Sequence, residues 1–156
     1  MRVRALGEAD REWATGKLRE LWGEGVVSRG RLLDATALPG FVAEGDGEPA
    51  GLLTYRIDGG DCEVVTINAF LRGAGAGTAL MEAVAAAARD AGCRRVWLIT
   101  TNDNLRALRF YQRRGFRLAA LHRDALDRSR ELKPSIPEVG LDGIPLRDEL
   151  ELELTL

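Results

Sequence analysis

The segment Arg72-Gly73-Ala74-Gly75-Ala76-Gly77-Thr78 stands between an apolar run that ends at Ala69 and an alanine-rich run that continues to Ala91. Small residues throughout 73–77 let a chain turn tightly and aim successive amide N–H groups outward. A helix starting there adds the positive end of its dipole, worth about 0.3–1 kcal/mol toward an anion. The combination is a phosphate cradle. It is not a P-loop, because Thr78 follows Gly77 with no Lys between them. It is not a dinucleotide fingerprint either, since the last glycine of Gly-x-Gly-x-x-Gly would fall on Thr78 or Leu80. A glycine-rich turn that serves only helix–strand packing has the same composition, and this reading stands beside the first.

A second group follows at Asn104, Ala107, Phe110, Tyr111, Arg114 and Gly115-Phe116. Spacings of three and four put Ala107, Phe110, Tyr111 and Arg114 on one side of a helix. A small residue beside two aromatics leaves room for something to pass. Phe110 reads as core, whereas a buried Tyr111 phenol needs a hydrogen-bond partner. Cys62 and Cys93 read as buried, reduced thiols, and with one His, His122, no structural zinc site is expected. His122 is read first as a surface or structural residue, Trp13, Trp22 and Trp97 as packing, and Arg113-Arg114 as solvated charges.

These groups need elements to hold them. Strands are expected over 3–6, 41–44, 50–57, 62–69, 95–100 and 116–121, with turns at Gly45-Asp46-Gly47 and Asp58-Gly59-Gly60-Asp61 making the three central ones antiparallel neighbours. Asp10 caps a helix with apolar positions Ala14, Leu18, Leu21 and Trp22, and a second short helix is read over 29–35. Further helices are read over 77–91, stopped by Gly92, and from a cap at Asn102-Asp103-Asn104 to Arg114. The strand–helix–strand passage from 62 to 100 implies a right-handed crossover and parallel strands. Residues 134–147 carry three Pro and two Gly and read as a loop. Leu150, Leu152, Leu154 and Leu156 alternate with Glu149, Glu151, Glu153 and Thr155, a terminal strand with a buried leucine face and a wet acidic one.

The 156 residues, 22 basic and 24 acidic with a net charge of −2, fit one mixed α/β domain over 1–156. That balance gives no broad surface for nucleic acid or an anionic membrane. With no secretory signal or long apolar run expected, the location implied is cytoplasmic.

Taken together, Arg72, Gly75 and Gly77 after a central strand, then Asn104, Ala107, Phe110-Tyr111 and Gly115-Phe116, resemble the GCN5-related N-acetyltransferase (GNAT) superfamily. The order of elements resembles the family over essentially the whole chain. The departure is at 67–71, Ile-Asn-Ala-Phe-Leu, where many members have Val-x-Pro. The resemblance implies a mixed central sheet of six to seven strands flanked by about four helices, with splayed central parallel strands. It implies acetyl-CoA as cofactor, its pyrophosphate on the amides of Gly73, Ala74, Gly75, Ala76, Gly77 and Thr78, with Arg72 nearby. The pantetheine arm would lie along Ile67, Asn68 and Ala69, pairing with the backbone of Ile67 and Ala69, with Asn104 bonded to the arm and Tyr111 beside the sulfur.

Direct transfer of the acetyl group to the amine of a small molecule is the activity expected. Tyr111 would protonate the leaving thiolate. Glu63, four residues before Ile67 and on its face if no bulge intervenes, is the first candidate base; a solvated charge near a hairpin end is the other reading of it. The loop at 133–149, with Asp142, Asp148 and Glu149, together with Arg29 and His122, is expected to shape the acceptor site, although a structural loop or a homodimer contact fits it equally. Acetylation of protein Lys or N-termini, and a non-catalytic acyl-CoA sensor, are the alternatives.

Overall fold

A computed structural model describes residues 1–156. Seven strands form one twisted sheet: β1 (Arg2–Ala5), β4 (Gly40–Gly45), β5 (Glu48–Asp58), β6 (Asp61–Ala69), β7 (Arg95–Thr101), β9 (Glu149–Thr155) and β8 (Arg117–His122), in that spatial order. All neighbours are antiparallel except β6 and β7. Helices α2 (Ala76–Asp90) and α3 (Leu105–Arg113) belong to one face of the sheet, where Leu80, Val84, Val96, Leu98, Tyr111 and Leu152 make the larger core. On the other face α1 (Arg11–Trp22) buries Ala14 and Leu18 against Val42, Leu52 and Val65.

The parallel pairing is short. It joins Asp61 to Arg95, Cys62 to Val96 and Glu63 to Trp97, and then stops. Beyond it β6 and β7 diverge, leaving one edge of residues 64–69 without a strand beside it. In the same stretch β6 carries a bulge: Tyr55 pairs with Val64 and Thr54 with Thr66, so Val65 is an extra residue. A bulge reverses the facing of everything on one side of it. Cys62, Val64 and Ile67 therefore share the α2 face, and Glu63 lies on the opposite one. The expectation that Glu63 shares a face with Ile67 is corrected by that one residue.

Other expectations change as well. Residues 29–35 are not a helix. Val26–Ser28 (β2) and Arg31–Leu33 (β3) form a separate hairpin whose two-residue turn, Arg29-Gly30, has positive φ at both positions (51° and 74°). Such a turn matches strand twist, and Gly at its second position supplies the conformation most residues avoid. Asp34 then caps the short 3-10 turn that follows, accepting from the Thr36 amide at 3.0 Å. An unexpected helix, α4 (Ala125–Leu132), precedes the loop. Lys133, just beyond it, donates to the carbonyls of Trp22 (2.6 Å) and Gly25 (2.9 Å), tying the end of α1 to the second half of the chain. Asp10 does not cap α1 with its side chain; it accepts from the Gly7 amide (2.8 Å) and pairs with Arg4. Leu21, expected in the apolar stripe, is exposed.

Candidate functional site

The cradle is built as its residues suggest. Gly75, left-handed at φ 82°, stands at the N-cap of α2 and turns the chain into the helix. Gly77 is required for another reason. A Cβ there would lie 2.8 Å from Cζ of Phe110, so the ring of α3 rests directly on the first turn of α2. Arg114 stacks its guanidinium on that ring, 3.7 Å from the centroid, and donates from Nε to Thr78 Oγ1 at 2.8 Å. Arg72, Arg106 and Arg114 line the cavity over the cradle, about 520 Å³, and no carboxylate does. Arg106 is absent from the residues expected at the site, and Arg114 is not the solvated charge expected. The signal for Arg114 is its place four residues after Phe110, which puts it on the same helix face.

From the cradle a groove leads along Ala69, Gly77, Phe110 and Tyr111. It opens into a cavity of about 310 Å³ at the β6–β7 divergence. The Phe70 amide bonds across to Ala50 on β5 at 2.8 Å. Alternation along the strand then turns the peptide groups of Ile67 and Ala69 the other way, toward the unpaired edge. Asn68, between them, pairs with Leu52, and its side chain accepts from the Trp22 indole at 2.9 Å. Asn104 lines the cavity and caps α3, accepting from the Ala107 amide at 3.2 Å. Tyr111 lines it too, and burial pushes its phenol up to about 12, so the hydroxyl keeps its proton at neutral pH.

The cavity passes through the sheet. On the α3 side Asn104, Ala107 and Tyr111 line it; on the α1 side Trp22, Val26 and Val27 do. Trp22, Val26, Val27 and Val65 are not among the residues the sequence marks for the site. Three of them lie on or beside the β2–β3 hairpin, and Val65 is the bulge residue.

Glu63 is almost fully buried and engaged at both oxygens. Ser28 donates to Oε2 at 2.6 Å, Arg31 to Oε1 at 3.1 Å, and Arg56 lies 3.5 Å from the same oxygen. Nor is the acidic side of β9 wet: Glu149 and Glu151 are buried beneath the tip of the β2–β3 hairpin. Glu149 accepts from the Arg29 amide at 3.1 Å, and burial raises its carboxyl above the ordinary value. Glu151 is bonded by Arg95 (3.0 Å) and by His122 (3.1 Å); despite its burial these partners hold its carboxyl below the ordinary value.

Arg29, His122, Asp142 and Asp148 do not line the through-sheet cavity. The Arg29 guanidinium lies over Trp97, in a separate polar cleft with Arg31, Arg56 and Arg95. Asp148 accepts from the Asp124 amide at 2.8 Å, and Asp142 is an exposed turn residue with φ 56°. The loop around them is held by Asn102, which accepts from the Arg147 and Asp148 amides, and by buried Asp103, which accepts from the Leu141 amide. Burial pushes the Cys62 thiol up to about 12, leaving it unreactive. No group of three or more His, Cys, Asp or Glu is placed to hold a metal ion, and no helix is long and apolar enough to cross a membrane.

Comparison with known proteins bears on the family and the fold. Residues 8–116 match the family model described as Acetyltransferase (GNAT) family. The protein YdhI of Bacillus subtilis is 45% identical over 132 residues, covering 83% of this chain and 82% of its own. Among solved structures, an IAA acetyltransferase from Bacillus cereus superposes with a TM-score of 0.76 at 21% identity, covering 99% of both chains. A GNAT family acetyltransferase from Elizabethkingia anophelis, with acetyl-CoA bound, gives 0.73 at 18% identity over 99% of this chain and 97% of that one. The overall fold is thus shared with these structures, and the chain belongs to the acetyltransferase (GNAT) family.

Proposed function

We propose that the protein transfers the acetyl group of acetyl-CoA to the amine of a small molecule, the two substrates meeting in the β6–β7 gap from opposite faces of the sheet. The observation that carries this reading is the cavity that passes through the sheet and is joined, on the α2–α3 side only, to an anion cradle. The residues present fit the cofactor. Three arginines and a helix N-terminus face one volume without a carboxylate, and at Gly73 and Gly75 nothing stands within 4 Å of where a Cβ would be. Bound acetyl-CoA supplies the activated thioester.

The chain's own residues do the rest. Amides at 73–78 and Arg114 anchor the phosphates. The peptide groups of Ile67 and Ala69 align the arm and offer an N–H to the carbonyl oxygen that gains charge during attack. Tyr111 holds a proton for the departing sulfur. Glu63 lies on the acceptor side, but with both oxygens engaged it organises Ser28 and the hairpin rather than stripping a proton itself. The hairpin roof supports a small acceptor over a protein segment, because Val26 and Val27 close the α1 side of the cavity.

Replacing Tyr111 by Phe tests the reading. Thiol release from acetyl-CoA should fall by about 10²-fold or more in kcat, the scale of a lost acid, while calorimetric affinity for CoA stays nearly unchanged. Unaltered turnover would remove Tyr111 from the acid role. CoA binding without thiol release for any amine would leave a sensor module in place of an enzyme.

A further inference from the structure

On the acceptor side the cavity is walled by Trp22, Val26, Val27, Val65 and Ile99, with Asn68 and Thr101 as the polar members and the Thr101 hydroxyl donating to Asp103. The Asn68 carbonyl oxygen is already taken by the Trp22 indole. No charged side chain lines the cavity on either face. The carboxylates around it are committed elsewhere: Asp103 accepts from the Thr101 hydroxyl and from the Leu141 amide. Glu63 is turned to Ser28, Arg31 and Arg56, and Glu149 to the Arg29 amide. Arg29 and Arg95, over the Trp97 ring, and Arg31 and Arg56 belong to the separate cleft.

From this lining we infer the substrate class: an amine with a compact apolar body, aryl or branched alkyl, bound as the neutral base. The inference rests on the acetyltransferase reading of the same site. Two physical points carry it. First, an ammonium brought between Trp22, Val27 and Ile99 would lose its hydration with no carboxylate to replace it, and burial of that kind disfavours the charged form. The walls therefore select the uncharged amine, which is the nucleophile; its ammonium proton goes to solvent water at entry. As the C–N bond forms and the C–S bond breaks, nitrogen releases a second proton to water, which restores the one Tyr111 gives to the sulfur. Second, size is limited. A volume of about 310 Å³, shared with the end of the pantetheine arm, amounts to about ten water-sized volumes. Polyamines, aminoglycosides and lysine side chains bring charges that no carboxylate in this lining can pair.

The test is a panel of amines with acetyl-CoA. 2-Phenylethylamine, isobutylamine and an aniline would be compared with spermidine, lysine amide and glucosamine, following thiol release and, by saturation-transfer NMR, binding in the CoA complex. The apolar amines should exceed the others by roughly a hundredfold in kcat/KM, the discrimination an apolar pocket reaches. Their rates should rise with pH as the free amine forms, with the aniline flat above neutrality. Val27→Asp, which adds a carboxylate to the roof, should invert the order toward spermidine. Faster turnover of spermidine or lysine amide by the native protein would overturn the inference and leave the acetyltransferase reading intact. Binding of 2-phenylethylamine without any thiol release would uphold the inference and remove the enzyme. Its failure both to bind and to react would overturn the inference outright.

Discussion

The contact between Gly77 and Phe110 makes a sharp test, because one methyl group probes both helices of the cofactor side. In Gly77→Ala the new Cβ would sit 2.8 Å from Cζ and 3.0 Å from Cε1 of Phe110, inside the distance real Cβ atoms keep. Gly77 lies within α2, so the backbone itself accepts alanine and gains about 0.8–1 kcal/mol of helix propensity. Overpacking costs about 1–3 kcal/mol. The two nearly offset, leaving a net destabilisation of about 0–2 kcal/mol, and a Tm lower by at most about 8 °C at 2–4 °C per kcal/mol. Binding should suffer more than folding. The ring cannot move without displacing the Arg114 guanidinium stacked on it, and that guanidinium positions Thr78 in the cradle. Loss of one charge-assisted contact, about 1.5–3 kcal/mol, corresponds to a CoA affinity weaker by about 10- to 100-fold. Isothermal titration of CoA and thermal unfolding measure the two effects separately. Phe110→Leu should be less harmful when combined with Gly77→Ala than alone, since the smaller side chain gives the methyl room. Native CoA affinity in Gly77→Ala, with no coupling between the substitutions, would refute the proposed contact chain.

Two predictions concern pH. Burial raises Glu149 above its ordinary 4.5, so the native state binds more protons than the unfolded one between those values. The stability tied to this group is present below pH 4.5 and lost as pH rises through the native value; Glu149→Gln should therefore gain stability relative to the native protein as denaturant melts move from pH 4.5 to pH 8. Asp10 goes the other way. The Arg4 hydrogen bonds, with the Gly7 amide next, hold its carboxyl down to about 2 from 3.8, so its stabilisation is present above pH 3.8 and lost as pH falls toward 2. Asp10→Asn should cost about 1 kcal/mol at about pH 7, the upper range for a solvent-screened pair, and almost nothing at about pH 2.

Cofactor-side features were legible in the sequence because they are local. The cradle needs consecutive small residues, and Ala107, Phe110 and Tyr111 needed only helical spacing to fall on one face. Acceptor-side features were not, because each depends on parity or on distant partners. The face of Glu63 turned on Val65, whose status as an extra residue is defined only by pairing with Thr54 and Tyr55. Residues 29–35 carry Leu32-Leu33 and a strong Asp34, compatible with a helix turn, while the deciding feature is the left-handed pair Arg29-Gly30. The acidic alternation of β9 has a perfect surface pattern. Only the hairpin folding over it, with the Arg29 amide on Glu149 and Arg95 on Glu151, makes that side buried.

The opening of the sheet to both faces has a consequence for how this protein can change. On the proposed function, donor and acceptor are handled by separate stretches of chain: α2 and α3 on one face, the end of α1 and the β2–β3 hairpin on the other. The hairpin is a sheet of its own, attached to the large sheet by side chains rather than by strand pairing. Substitutions in it can reshape what is acetylated without disturbing how the acetyl group is delivered. A lineage carrying this fold can thus acquire new acceptors by revising only the few residues of the roof, and a laboratory library confined to residues 26–33 explores the same freedom.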